Sequence, residues 1–166
     1  MGDLQRAIEK YAKLDRAIEN ALKNEVAEVV KGALAQAAIE EVYDTYDPEF
    51  LSRRDPIHGG GNTRASNAGG GITDTTQMHV EAVGNTLTVS DDAPWQQLWG
   101  GARPDSRLAE AIATGDPRFH MEKAGPRPFH EKAKRMVIDS GDAEKALIAG
   151  LRRQGIDVSG LDFEFE

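Results

Sequence analysis

The sequence contains no cysteine in 166 residues. That excludes a disulfide framework, a thiolate metal centre and a thiol nucleophile, and it suits a reducing compartment. Aromatic residues make up only 6% of the chain, and no apolar run approaches the roughly 18–20 residues of a membrane span. Met1 to Arg6 has no apolar signal core, so export is not expected. Positive charge is also scarce: 20 Lys and Arg stand against 28 Asp and Glu, for a formal net charge of −8. This balance argues against a dedicated DNA- or RNA-binding domain, which shows a basic face. The length suits one domain with a core of useful size.

What is present is unevenly placed. Residues 3–46 lack proline, and apolar positions recur at Leu4, Ile8, Tyr11, Leu14, Ile18, Leu22, Val26, Val29, Ala33 and Ala37. Steps of three and four trace one face of a helix. Asp3 is a candidate N-cap, and Asp47-Pro48 is the stop, because the residue before proline is pushed out of the α region. One such helix would run about 66 Å, against a radius of gyration near 15 Å for a compact domain of this length. It therefore either breaks into two core helices, with Asn20, Asn24 and Gly32 as weak points, or projects and needs a partner chain for its stripe.

Residues 52–71 hold six of the 17 glycines, in runs at 59–61 and 69–71, and one large apolar side chain, Ile57. Such a stretch cannot bury enough surface to offset its ordering entropy, so it is expected to be a mobile loop. It is no phosphate cradle, since neither Gly-Lys-Ser/Thr nor Gly-x-Gly-x-x-Gly opening a helix occurs. Over residues 76–91, Met78, Val80 and Ala82 alternate with Gln77, His79 and Glu81, and Leu87 and Val89 alternate with Thr86, Thr88 and Ser90. Gly84-Asn85 between them predicts a two-residue hairpin turn that pairs Ala82 with Leu87 and Val80 with Val89.

Trp95 and Trp99 fall in a loop over 92–104, as a core plug or an interface anchor. A short helix is expected over 105–114, capped by Asp105 or Ser106 and closed by Gly115. Gly125-Pro126-Arg127-Pro128-Phe129 must run extended, as an edge strand or laid over the fold. Helices follow near 130–139 and 142–154, the second closed by Gly155, and the tail alternates through Val158, Leu161, Phe163 and Phe165. The sum is an α+β chain. It has a long N-terminal amphipathic helix (1–47), the flexible loop (52–71), and a small antiparallel β-sheet with a hairpin and short C-terminal helices packed on it (72–156). The whole of 1–166 reads as a single domain.

No constellation of residues carries chemistry. His130-Glu131 begins a zinc-protease motif, but Lys134 stands where the second histidine belongs. His58, His79, His120 and His130 form no i, i+4 pair, and no serine sits in a Gly-x-Ser-x-Gly elbow. The expectation is no catalytic residue, no cofactor and no metal.

Four passages resemble the tail-completion, or neck, proteins of long-tailed bacteriophages, a family of minor structural, head–tail joining proteins. The helix ending Val42-Tyr43-Asp44-Thr45-Tyr46-Asp47-Pro48, with Arg53-Arg54 beyond, is similar to that family's V-Y-x-x-Y-x-P…R-R passage. The glycine- and asparagine-rich loop leads into a hairpin around Gly84-Asn85. Leu108 to Gly115 resembles L-x-x-x-I-x-x-G, and Arg127-Pro128-Phe129 before a helix resembles R-P-F, with the closing Ala146 to Ile156 segment after it. The resemblance covers about residues 26–156.

It implies a structural virion subunit that forms a homo-oligomeric ring of six or more copies between the head connector and the tail-terminator or tail-tube proteins. DNA would pass its channel without specific binding. No reaction, cofactor or membrane is implied, and assembly would take place in the host cytoplasm. Two other classes stay open. One is a non-catalytic helical adaptor of a bacterial host, although helical steps averaging 3.6 fit a heptad coiled coil poorly. The other is an enzyme using His120, His130 and nearby carboxylates.

Overall fold

The computed structural model describes residues 2–44, 72–91, 95–97, 101–103, 108–115 and 125–161, together with Leu161, Phe163 and Phe165 in the tail. The helix stop at Asp47-Pro48, the loop over 52–71, Trp99, the caps at Asp105 and Ser106, His58 and His120 lie outside the described residues.

The chain is mixed, as the sequence predicts: a long N-terminal helix, small antiparallel pairs of strands and C-terminal helices. The N-terminal helix does not break. It comprises α1 (Gly2–Ala21), a π-helical turn at Leu22–Val26, α2 (Ala27–Ala38) and a second π-helical turn at Ile39–Tyr43. Asp3 lies inside its first turn rather than capping it. The expected weak point at Asn20 and Asn24 widens instead of parting, with the Asn24 side-chain amide donating to the Asn20 carbonyl at 2.7 Å. A π turn holds one residue more than an α turn, so it re-aims the side chains beyond it without ending the helix.

Two strands, β1 (Met78–Val83) and β2 (Thr86–Asp91), pair in the expected hairpin, with Gly84 in the turn at φ 59°. Asp74 caps the short 3₁₀ turn Thr75–Gln77 that leads into β1, accepting from the Thr76 amide at 3.0 Å and the Thr76 hydroxyl at 2.6 Å. The region around Trp95, expected as loop, holds a second antiparallel pair. In it β3 (Trp95–Gln97) lies beside β4 (Gly101–Arg103), with Trp95 opposite Arg103. Each strand has only three residues, too few for alternation to register in the sequence. The remaining helices are α3 (Leu108–Thr114), α4 (Phe129–Ser140) and α5 (Asp142–Arg153). Gly125 to Pro128 joins no strand.

The residues group into two compact units. The first takes Met1–Val30, Val80–Val89 and Val137–Glu166; the second takes Lys31–His79 and Ser90–Met136. In the first, Ala17, Ala21, Leu22 and Val26 close on Ala143, Leu147 and Leu151 of α5. Small residues let the two helices approach: a Cβ on Gly150 would lie 2.7 Å from the Ala21 Cβ. Polar clamps edge this seam. The Gln154 amide donates to the Ala17 carbonyl at 2.9 Å, and Arg153 meets Glu25 at 2.9 Å. Glu19 accepts from the Gly84 amide at 2.6 Å, which fastens the hairpin turn to α1. Ala82 and Leu87 of the hairpin and Phe163 and Phe165 of the tail pack half-buried on the same core, and the described part of the tail adds no strand.

In the second unit the buried apolar side chains among the described residues are Leu34, Ala37 and Ala38 of α2, Ile72, Met78, Ala109, Ala111 and Ile112, and Phe129 and Ala133 of α4. Phe129 is fully buried and is the largest of them.

Candidate functional site

Three of the passages singled out in the sequence meet in the second unit. Arg127 carries the junction. Its backbone amide donates to the Ile112 carbonyl of α3 at 3.2 Å. Its guanidinium donates to the Val42 carbonyl at 2.8 Å and reaches the Glu41 carbonyl at 3.5 Å. The last carbonyls of a helix have no partner within it, and the helix dipole is negative there, so a guanidinium is well matched to the place.

Gly115 makes the approach possible. It closes α3 at φ 68°, and a Cβ there would stand 2.9 Å from the Pro126 nitrogen. Only glycine combines that left-handed backbone with so close a neighbour. The segment expected to run extended turns instead: Gly125 is left-handed at φ 71°, and the Phe129 amide donates back to the Arg127 carbonyl at 2.8 Å around Pro128, as fully buried Phe129 opens α4.

One turn into α4, Lys132 spans two acids of the N-terminal helix. Its Nζ lies 2.7 Å from Glu41 Oε1 and 2.9 Å from Glu40 Oε2. The Gln36 amide donates to the other Glu40 oxygen at 2.7 Å. That hydrogen bond, and then the ammonium of Lys132, hold the Glu40 carboxyl below its usual value. The same contacts raise Lys132, the hydrogen bond to Glu41 first. All three side chains are partly exposed, so this is a screened surface cluster that fixes direction more than it adds stability.

His130 remains exposed as a residue, but its ring stacks on Phe129 with centroids 4.0 Å apart. Loss of hydration on that side pushes the imidazole below its ordinary value. His79 is exposed on β1, as its polar-face position predicts. Among the described residues no three His, Asp or Glu side chains come together as a metal site, and no helix is long and apolar enough to cross a membrane.

The fourth passage, the closing segment from Ala146 to Ile156, belongs to the first unit, where Leu147 and Leu151 are core. Two features escaped the sequence reading. One is the Lys132 bridge, whose partner Glu41 lies 91 residues away along the chain, with Glu40 beside it. The other is the buried pair Thr73 and Asp74, 4% and 3% exposed. Only Asp74's position before Thr75-Thr76, a capping pattern, could have signalled the second. Chemically the described residues of the junction clamp and orient its segments.

The YomN family model matches residues 1–153, so the chain belongs to the YomN family, a phage-associated one. No curated protein and no solved structure matches.

Proposed function

We propose that this YomN-family chain is a structural virion protein of the phage neck, a ring-forming subunit that joins the head connector to the tail. Membership of a phage-associated family over nearly the whole chain carries the reading. The convergence of the Val42, Ile112 to Gly115 and Arg127-Pro128-Phe129 passages on one junction supports it, since those are the passages that resemble neck proteins. In this reading Arg127 and Phe129 fix packing and bind no ligand. The subunit acts by contact alone, with roughly six or more copies closed by symmetry. Its neighbours are the head connector and the tail-terminator or tail-tube proteins, and its place is the virion after assembly in the host cytoplasm. An acidic chain suits a channel wall that DNA slides past, because basic contacts hold phosphate strongly.

Deletion of the gene from its phage tests this. The expected outcome is filled heads and finished tails that stay separate and join when the purified protein is added. Normal joined particles from the deletion would refute it. The bare start of α1 also favours a second reading, a helical adaptor of the bacterial host. That reading predicts intact particles from the same deletion.

A further inference from the structure

Six large apolar side chains are exposed among the described residues: Leu4, Ile8, Tyr11, Val83, Ile138 and Leu161. All six belong to the first unit. Leu4, Ile8 and Tyr11 share one face of α1, and every residue from Gly2 to Tyr11 is exposed. The same face continues through Leu14 into Ala17, Ile18 and Ala21, where α5 and its neighbours cover it. The stripe is thus core at one end and bare at the other, at 71%, 59% and 69% exposure for its first three members. Helical turns without tertiary cover are marginal in water, and a contiguous bare stripe signals a docking surface.

Charge indicates what covers it. Residues 2–16 carry four basic side chains, Arg6, Lys10, Lys13 and Arg16, against Asp3, Glu9 and Asp15. The rest of the chain carries 16 basic and 25 acidic side chains. A net-positive segment faces a strongly negative remainder, and opposite fields steer association. Outside residues 2–16 the first unit carries four basic and 11 acidic side chains. Of its other bare apolar side chains, Val83 stands near exposed Glu81 and Leu161 near exposed Asp157, while Ile138 has exposed Asp139 beside it and exposed Lys134 and Arg135 one turn before it.

Charge also indicates the geometry. Each donor face offers three large side chains, roughly 400 Å², whichever surface it meets. Two leading segments paired with each other would set like net charge against like, whereas a head-to-tail contact sets the net-positive segment against the acidic remainder of a second copy, and it closes into a ring when the rotation permits.

We propose that the Leu4–Ile8–Tyr11 face of one copy docks head-to-tail on the bare apolar side chains of the acidic first unit of a second copy, Val83 and Ile138 among them. The inference rests on the ring-forming reading above and names its contact. Two full-length variants test it, with folding checked by circular dichroism: Ile8→Glu/Tyr11→Glu removes the donor face, and Val83→Lys/Ile138→Lys removes the acceptor. All four positions are exposed, so both variants should keep the parent's circular dichroism spectrum.

Sedimentation velocity and native mass spectrometry should show the parent chain assembling beyond a dimer and each variant alone as a monomer. An equimolar mixture of the two variants should give a one-to-one dimer, because it keeps a single intact donor–acceptor contact. Assembly that persists in both variants overturns the inference and leaves the ring reading standing. A dimer formed by the acceptor variant alone means the leading segments pair with each other, and overturns it too. A parent chain that stays monomeric at every concentration overturns the inference together with unassisted ring formation.

Discussion

Replacing Gly150 by alanine is a strict test of how closely α1 and α5 are packed. An added Cβ would stand 2.7 Å from the Ala21 Cβ and 2.7 Å from Glu25 Oε2. Ala21 is fully buried and its Cβ is fixed to the backbone, so no rotamer change relieves that contact. Glu25 can swing aside, but only by leaving Arg153, now at 2.9 Å. That pair is largely exposed on the arginine side, so its loss costs at most about 0.5 kcal/mol. Overpacking a filled seam costs about 1–3 kcal/mol. Against this, alanine gains about 1 kcal/mol over glycine in a helix interior. Gly150→Ala should therefore destabilise by up to about 2.5 kcal/mol, read as a lower urea midpoint at unchanged slope.

Gly32→Ala is the control. Nothing lies within 4 Å of its Cβ position, and its backbone is helical in α2. It should stabilise by about 0.5–1 kcal/mol. Ala21→Gly combined with Gly150→Ala should cost less than the two changes summed, because the cavity and the intruding methyl coincide. A Gly150→Ala protein stabilised as much as the Gly32→Ala control would show that the helices move apart without cost and refute the packing argument.

Phe129→Ala should cost about 3–5 kcal/mol, the toll of emptying a fully buried aromatic site, by thermal or urea unfolding. Arg127→Ala removes a charged donor from the Val42 carbonyl and should cost about 1.5–3 kcal/mol. Arg127→Lys should recover only part, lacking the planar fork. Glu40 lies below its ordinary value, so its share of stability is present at neutral pH and is lost as pH falls through the depressed folded-state value. Lys132 lies above its ordinary 10.5, so its share holds below 10.5 and is lost as pH rises through the raised value. Lys132→Met should remove the alkaline limb of a plot of melting temperature against pH and flatten the acid limb only in part, because the Gln36 hydrogen bond to Glu40 remains. His130 lies below its ordinary 6.5, so the folded state binds fewer protons than the unfolded one just under that pH, and stability rises as pH climbs to 6.5. His130→Asn should remove that slope.

Local order was legible in the sequence. The 3.6-residue spacing from Leu4 onward marks a helix that runs unbroken to Tyr43, and Gly84-Asn85 between alternating strands marks the hairpin. Gly115 and Gly155 end their helices at φ 68° and 73°, as their C-cap positions require. What escaped was either very short or distant along the chain. Strands β3 and β4 are three residues each. The π turns leave the apolar spacing nearly unchanged, so periodicity does not reveal them. The reach of Arg127 to Val42 spans 85 residues, and no local pattern encodes it. The junction could be suspected because its three passages carried a family resemblance, but which atoms meet there came only from the fold.

A neck subunit is defined by its place and copy number, so the most direct measurement is electron microscopy of purified phage particles with this chain labelled by an epitope-bound antibody fragment. A neck subunit predicts label in a ring at the head–tail junction, at roughly six copies or more per particle. Label absent from the particles, or spread over the capsid shell, would contradict it.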